Sequence, residues 1–205
     1  MNKKQHIIRS MGNAVLNISK LNGEVSGIQG LTGEKIKYFL NNIANFEDVN
    51  YLEIGVANGA TLTATLFNNN VKSAYAIEIN PTVKNQILSY KKRLNIDFKL
   101  FIEDSFKLDL NKIKDKINVY FYDGDHSYES HYKALEYFYP VLDDEFIFMV
   151  DDWLDKDDQY FKDWEHVSKA TRNAIKDLNL KNQYEHHFPR AYGWHGGFWV
   201  ALLTK

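Results

Sequence analysis

The stretch Tyr51-Leu-Glu-Ile-Gly-Val-Ala-Asn-Gly59 limits the fold more than any other part of this chain. A short apolar run meets two glycines, and Ala60-Thr-Leu-Thr-Ala-Thr-Leu66 behind them is able to start a helix. Gly55 and Gly59 lack a Cβ, so the backbone can turn sharply and let a ligand come close. The first amide groups of such a helix would face the turn. Strand, glycine turn and helix in this order form the unit that binds small cofactors at the carboxyl ends of strands in an open α/β sheet. Glu53, near the strand's end, could order the turn or meet a cationic ligand.

The spacing narrows the choice of cofactor. A dinucleotide fingerprint needs Gly-x-Gly-x-x-Gly. This chain has Glu-x-Gly-x-x-x-Gly, with Ala57 where the middle glycine would stand. The pattern resembles the first motif of class I S-adenosylmethionine-dependent methyltransferases. That resemblance implies S-adenosylmethionine as the methyl donor, held by Glu53, Gly55 and Gly59. Ala74-Tyr-Ala-Ile-Glu-Ile-Asn80 is apolar and then acidic, which puts Glu78 at the end of the next strand. A carboxylate there can accept hydrogen bonds from both ribose hydroxyls; a solvated strand-end glutamate is the plainer alternative. A third strand over residues 96–102 ends in Glu103-Asp-Ser105. By the same resemblance Asp104 could take the exocyclic amine of adenine and Ser105 a ring nitrogen. An Asp/Ser helix cap is an equally open reading.

Ile117-Asn-Val-Tyr-Phe-Tyr122 reads as a fourth strand, followed by Asp123-Gly-Asp-His-Ser-Tyr128. A helix over residues 128–142, interrupted late by Pro140, leads through a turn at Asp143 and Asp144 into a fifth strand, Glu145-Phe-Ile-Phe-Met-Val150. Asp151 and Asp152 end it. The crossover makes strands four and five parallel neighbours, about 4.8 Å apart, so Asp123 and the Asp151–Asp152 pair should converge. Unpaired, three acids would repel one another. A hard divalent cation such as Mg²⁺ would relieve that and ready a bound hydroxyl, whereas capping of helix N-termini is the plainer use. His126 titrates near neutrality and is the candidate general base. Asp125 is the rival base or the group that orients the imidazole. The other six histidines are read as ordinary.

Asp123-Gly-Asp-His126 with the later Asp151–Asp152 resembles the metal-dependent O-methyltransferases that modify sugars in macrolide and related pathways. Over roughly residues 25–153 the resemblance implies Asp123, Asp151 and Asp152 as Mg²⁺ ligands and His126 as the base. The chain is short for that family and carries no added substrate domain.

The 205 residues suit one domain, with residues 1–33 an N-terminal helix and loop and residues 34–205 the catalytic core. Ile7, Ile8, Met11, Val15 and Ile18 recur at helical spacing. The glycine-rich stretch from Gly23 to Gly33 reads as a loop able to fold over a cofactor, or as a connector. A helix over residues 34–44 follows it. Others are expected at residues 60–68, from Pro81 to about Leu94, and over residues 161–178. Leu154-Asp-Lys-Asp-Asp158 is a charged loop. Residues 183–188 and 198–203 read as a closing antiparallel pair, with Arg190, Tyr192 and Trp194 at an acceptor pocket or a packed tip. The expected fold is a doubly wound, mostly parallel seven-stranded sheet of the Rossmann-like methyltransferase type, with a C-terminal antiparallel hairpin.

With 25 Lys+Arg against 27 Asp+Glu the chain lacks the excess of base that a nucleic-acid binder needs. Its three prolines, Pro81, Pro140 and Pro189, do not form the Asn/Asp-Pro-Pro-aromatic element of amino-group methylation on nucleic acids. Zero cysteines and no membrane-length apolar run point to a cytoplasmic protein without a membrane partner. A homo-oligomer is compatible with the sequence. The expected function is methyl transfer from S-adenosylmethionine to a hydroxyl of a small molecule, a sugar or glycoside, with Mg²⁺ assisting; the alternative is a catalytically idle donor-binding module or assembly subunit.

Overall fold

A computed structural model describes residues 1–153 and 165–205. The expected charged loop at 154–158 and Trp164 lie outside them. Strands run at Asn50–Ile54 (β1), Ser73–Glu78 (β2), Lys99–Ile102 (β3), Ile117–Tyr122 (β4), Leu142–Asp151 (β5), Lys181–Phe188 (β6) and Phe198–Thr204 (β7). Among the described residues they form one sheet in the order β3-β2-β1-β4-β5-β7-β6. The five strands from β3 to β5 are mutually parallel. β7 runs antiparallel between β5 and β6. The chain works outward from β1 in one direction and from β4 in the other. Their shared border is the switch point, where an open α/β sheet leaves a crevice at its carboxyl edge.

Helices are Lys3–Val15 (α1), Gly23–Ser26 (α2), Glu34–Ile43 (α3), Ala60–Leu66 (α4), Lys84–Arg93 (α5), Tyr128–Phe138 (α6) and Glu165–Asp177 (α7). Alternate strand residues point to opposite faces, which divides the apolar side chains into two cores. Val119 and Phe121 of β4 join Ile7, Phe39, Leu62 and Ile87 from α1, α3, α4 and α5. Tyr120 and Tyr122 join Leu135, Phe138, Val167 and Ala174 from α6 and α7. β1 is buried along its whole length, as a central parallel strand must be.

Several boundaries differ from the sequence reading for local reasons. Asn22 caps a short helix, α2, inside the expected glycine-rich loop. β3 loses its first three residues to the loop, although Ile96 and Phe98 remain buried. Asp143 and Asp144 lie within β5, because β5 already pairs with β4 at Leu142. Pro140 falls in a 3-10 turn that follows α6. α1 turns a different face inward than its apolar spacing suggests. His6, Ile7, Ser10 and Ala14 are buried, while Ile8 and Val15 are exposed. Polar contacts to α3 fix this rotation: His6 Nε2 meets the Ile43 carbonyl at 2.9 Å, and Asn13 Nδ2 donates to Asn42 Oδ1 at 2.9 Å.

Phe39 ties the C-terminal hairpin to the sheet. It is fully buried, with ring centroids of Phe188, Trp194 and Phe198 at 6.0, 6.1 and 5.4 Å. Phe39→Ala should therefore lower unfolding free energy by about 3–5 kcal/mol in a denaturant titration. A loss under about 1 kcal/mol would mean that the aromatic cluster is not a structural tie.

Candidate active site

The site begins at the end of β1. Gly55 has φ +84, and a Cβ there would lie 1.8 Å from the Asp123 carbonyl oxygen, so only glycine lets the ends of β1 and β4 meet. Ala57 sits in the left-handed region at φ +45. Its N–H donates to Glu78 Oε2 at 2.7 Å, and Asn80 N–H donates to Glu78 Oε1 at 2.7 Å. Glu78 thus stabilises the glycine turn from the neighbouring strand while facing a cavity of about 270 Å³. Gly55, Asp104, Ser105, Phe106 and Asp125 also line that cavity.

Glu53 does not reach the cavity. It is fully buried, with Tyr51 Oη donating to Oε2 and Thr61 Oγ1 donating to Oε1, both at 2.6 Å. Its part is to fix the turn from beneath, and direct contact with a ligand is ruled out by that packing. Burial pushes its carboxyl up to about 7, against the opposing pull of the two hydroxyl bonds. Asp104 caps the 3-10 turn Ser105–Lys107 through the Phe106 amide at 3.0 Å, and also borders the cavity. The cap and the cavity-facing position hold together.

A second cavity, of about 200 Å³, shares Gly55 with the first. Thr32, Asn58, Asp123, His126 and Asp152 are among its walls. The convergence expected of β4 and β5 is present. One ligand atom each from Asp123, His126 and Asp152 fit within 4.8 Å of one another. Asp151 lies outside that tight group, fully enclosed, with Oδ1 lacking any hydrogen-bond partner. Enclosure and repulsion from Asp151 and Asp152 hold the Asp123 carboxyl well above the usual range. Burial, then Asp152, does the same to Asp151.

His126 Nε2 lies 3.0 Å from Asp152 Oδ2, and that bond raises the imidazole above its ordinary value. Asp125 does not orient it. The Asp125 carboxylate accepts from Ser127 N–H, Ser127 Oγ and Ser130 Oγ at the start of α6, which keeps it low. The orienting acid is Asp152. His166 Nε2 in turn contacts the His126 carbonyl.

The family profile described as "Methyltransferase domain" matches residues 52–153, about half of the chain, from β1 through the acids after β5. The chain belongs to the class I S-adenosylmethionine-dependent methyltransferases. Solved structures share the fold of this methyltransferase. An O-methyltransferase from Bacillus cereus in complex with SAH is 11% identical, with TM-score 0.63, covering 98% of this chain and 91% of that one. Cofactor-bound Rv0187 from MTB is 15% identical, with TM-score 0.62 and coverage of 96% and 88%. M. capricolum TrmK in complex with S-adenosyl-homocysteine (SAH) is 16% identical, with TM-score 0.58 and coverage of 81% and 67%. At such identities the likeness concerns the fold alone. No curated protein sequence matches closely enough to count as a relative.

Sequence reasoning missed the other wall of the methyltransferase's acid cluster. Asp152 takes a left-handed backbone at φ +52. A Cβ on Gly196 would lie 2.0 Å from Asp152 Oδ1, and one on Gly197 would lie 2.2 Å from the Trp153 carbonyl. The Gly196–Gly197 doublet ahead of β7 was the available signal. Trp153 stacks on Trp199 with centroids 4.5 Å apart, and Trp194 is buried on Phe188 at 3.7 Å, so Trp194 packs the hairpin tip. Tyr192 stays exposed. His131, read as ordinary, is buried against Tyr122 with neither ring nitrogen hydrogen-bonded, and burial pushes it down to about 3.

Glu53 yields a pH test. Its folded value of about 7 stands above the ordinary glutamate value of 4.5, so folding disfavours the ionised form. Its contribution to stability is therefore present at low pH and is lost as pH rises through that window. Glu53→Gln should gain stability relative to the native protein between pH 4.5 and 7.5, on the order of 3 kcal/mol. A constant difference between the two across that range, measured by denaturant titration in EDTA, would contradict the assignment.

Proposed function

We propose that this methyltransferase moves the methyl group of S-adenosylmethionine to a hydroxyl oxygen of a small molecule, a sugar or glycoside, with Mg²⁺ assisting. We place it in the cytoplasm and give it no nucleic-acid or membrane partner. One observation carries the reading: a histidine paired with a carboxylate borders a cavity that adjoins the cofactor-side cavity at Gly55. The known O-methyltransferase of similar fold supports it.

Gly55, Glu78, Asp104 and Ser105 line the first cavity and would hold the donor's nucleoside. Bound there, the donor supplies a methyl group that its sulfonium makes electrophilic. The protein has then to align the acceptor and remove its proton. His126 takes the hydroxyl proton, and Asp152 steadies the imidazolium that results. The carboxylates Asp123 and Asp152 suit a hard divalent cation, with Asp151, the third expected ligand, set back from them. The convergence of Asp123 and Asp152 and the repulsion among these acids fit such an ion. When bound, Mg²⁺ would lower the pKa of the acceptor hydroxyl.

The test is His126→Gln, followed through SAH release with a hydroxyl acceptor. The turnover number should fall by about 10²–10⁴, while SAH still raises Tm. In the native enzyme the rate should fall as pH drops through a pKa above 6.5, since Asp152 raises the imidazole. That acid limb should vanish in the variant. Near-native turnover, or an unchanged acid limb, would remove His126 from the role of base.

A further inference from the structure

Leu31 lines the second cavity, and other large apolar side chains are exposed on segments tied to its loop. Leu31 is 92% exposed and Tyr192 94%, with Val15 at 56% and Leu16 at 69%. A single exposed leucine means little, but these four come from three segments that are fastened to one another. Gly33 packs so closely on the Gly193 carbonyl that a Cβ would lie 2.0 Å from the oxygen. Lys35 N–H donates to that same carbonyl at 3.1 Å. Lys35 Nζ donates to the Val15 carbonyl at 2.7 Å and also bonds Asn17 Oδ1. The 31–33 loop, the 192–193 turn and the end of α1 therefore share one rim, and Lys35 uses its ammonium group to hold it.

Two further features point to a ligand at this rim. Tyr192 takes φ +52, a left-handed conformation that is costly for a bulky residue and is found where a surrounding structure imposes it. Leu31 belongs to both surfaces: it is open to solvent, and it lines the cavity with His126 and Asp152. Beside it Thr32 Oγ1 is buried without a partner. The apolar rim is thus continuous with the cavity that receives the reacting hydroxyl. Clustered apolar surface of this kind marks a binding face.

We propose that the methyl acceptor is amphipathic: its hydroxyl enters beside His126 while an apolar skeleton lies outside, across Leu31, Tyr192 and the end of α1. This rests on the O-methyl transfer reading above and narrows it. A bare, freely soluble sugar would leave the rim uncovered.

The probe is 1-anilinonaphthalene-8-sulfonate, titrated into the protein with SAH and Mg²⁺ present. Its fluorescence should rise saturably. Leu31→Ser/Tyr192→Ser should weaken its binding roughly tenfold or more. Leu88→Ser, at an exposed apolar position on α5, should leave it unchanged. n-Octyl β-D-glucopyranoside, below its micelle concentration, should displace the probe where methyl β-D-glucopyranoside does not. Equal probe binding by the native and doubly substituted proteins would overturn the proposal, as would equal displacement by the two glucosides. A native dimer that the double substitution converts to monomer in sedimentation would also overturn it, since the rim would then be covered by a second copy. The thermal shift given by SAH is measured first on the native protein. Its absence would defeat the donor-binding reading itself, whereas its presence with unaltered probe binding would defeat only the amphipathic acceptor.

Discussion

Five acidic side chains crowd one edge of the sheet, and the way each is satisfied sets the character of this protein. Glu53 is neutralised in effect by two hydroxyls and by a raised pKa. Glu78 is used by two backbone amides. Both acids fasten the glycine turn, Glu53 from beneath and Glu78 from the wall of the first cavity. Asp123, Asp151 and Asp152 are held differently. Asp152 has His126, while Asp151 keeps an oxygen with no partner. Clustered acids without partners are costly in a folded chain, and their persistence beside a cavity is the mark of a site built for something that binds.

The fold creates this crowding through the strand order. β1 and β4 are neighbours although the chain visits β2 and β3 between them. Gly55 and Asp123 consequently sit side by side at the switch point, closer than any residue with a Cβ would allow. The antiparallel β7 then closes the other side, where Gly196 and Gly197 press on Asp152 and Trp153. The first cavity and the acid cluster are thus two sides of one backbone junction, and a shift in either would be felt in the other.

Much of this was legible in the residues. Parallel strands buried on both faces announce themselves as continuous apolar runs, and their ends were marked by Gly55, Glu78, Asp123 and Asp151. The order of elements then required β4 and β5 to lie side by side. What could not be read was side-chain pairing across distant segments. Whether His126 leans on Asp125 or on Asp152 depends on the path of the β6–β7 connection. Asp125 was claimed by the serines of its own helix start, a local bond that forms whatever the rest of the chain does. The rotation of α1 was equally hidden, because hydrogen bonds from His6 and Asn13, not apolar bulk, choose its buried face.

The acids after β4 and β5 are proposed to form a cation site next to the donor. Diffraction at the manganese edge, from crystals grown with Mn²⁺ and SAH, addresses that claim most directly. The expected result is an anomalous peak bound by Asp123 and Asp152, with SAH lying along Gly55 and Glu78. A crystal that holds SAH there and shows no peak among these carboxylates, at millimolar Mn²⁺, would contradict it.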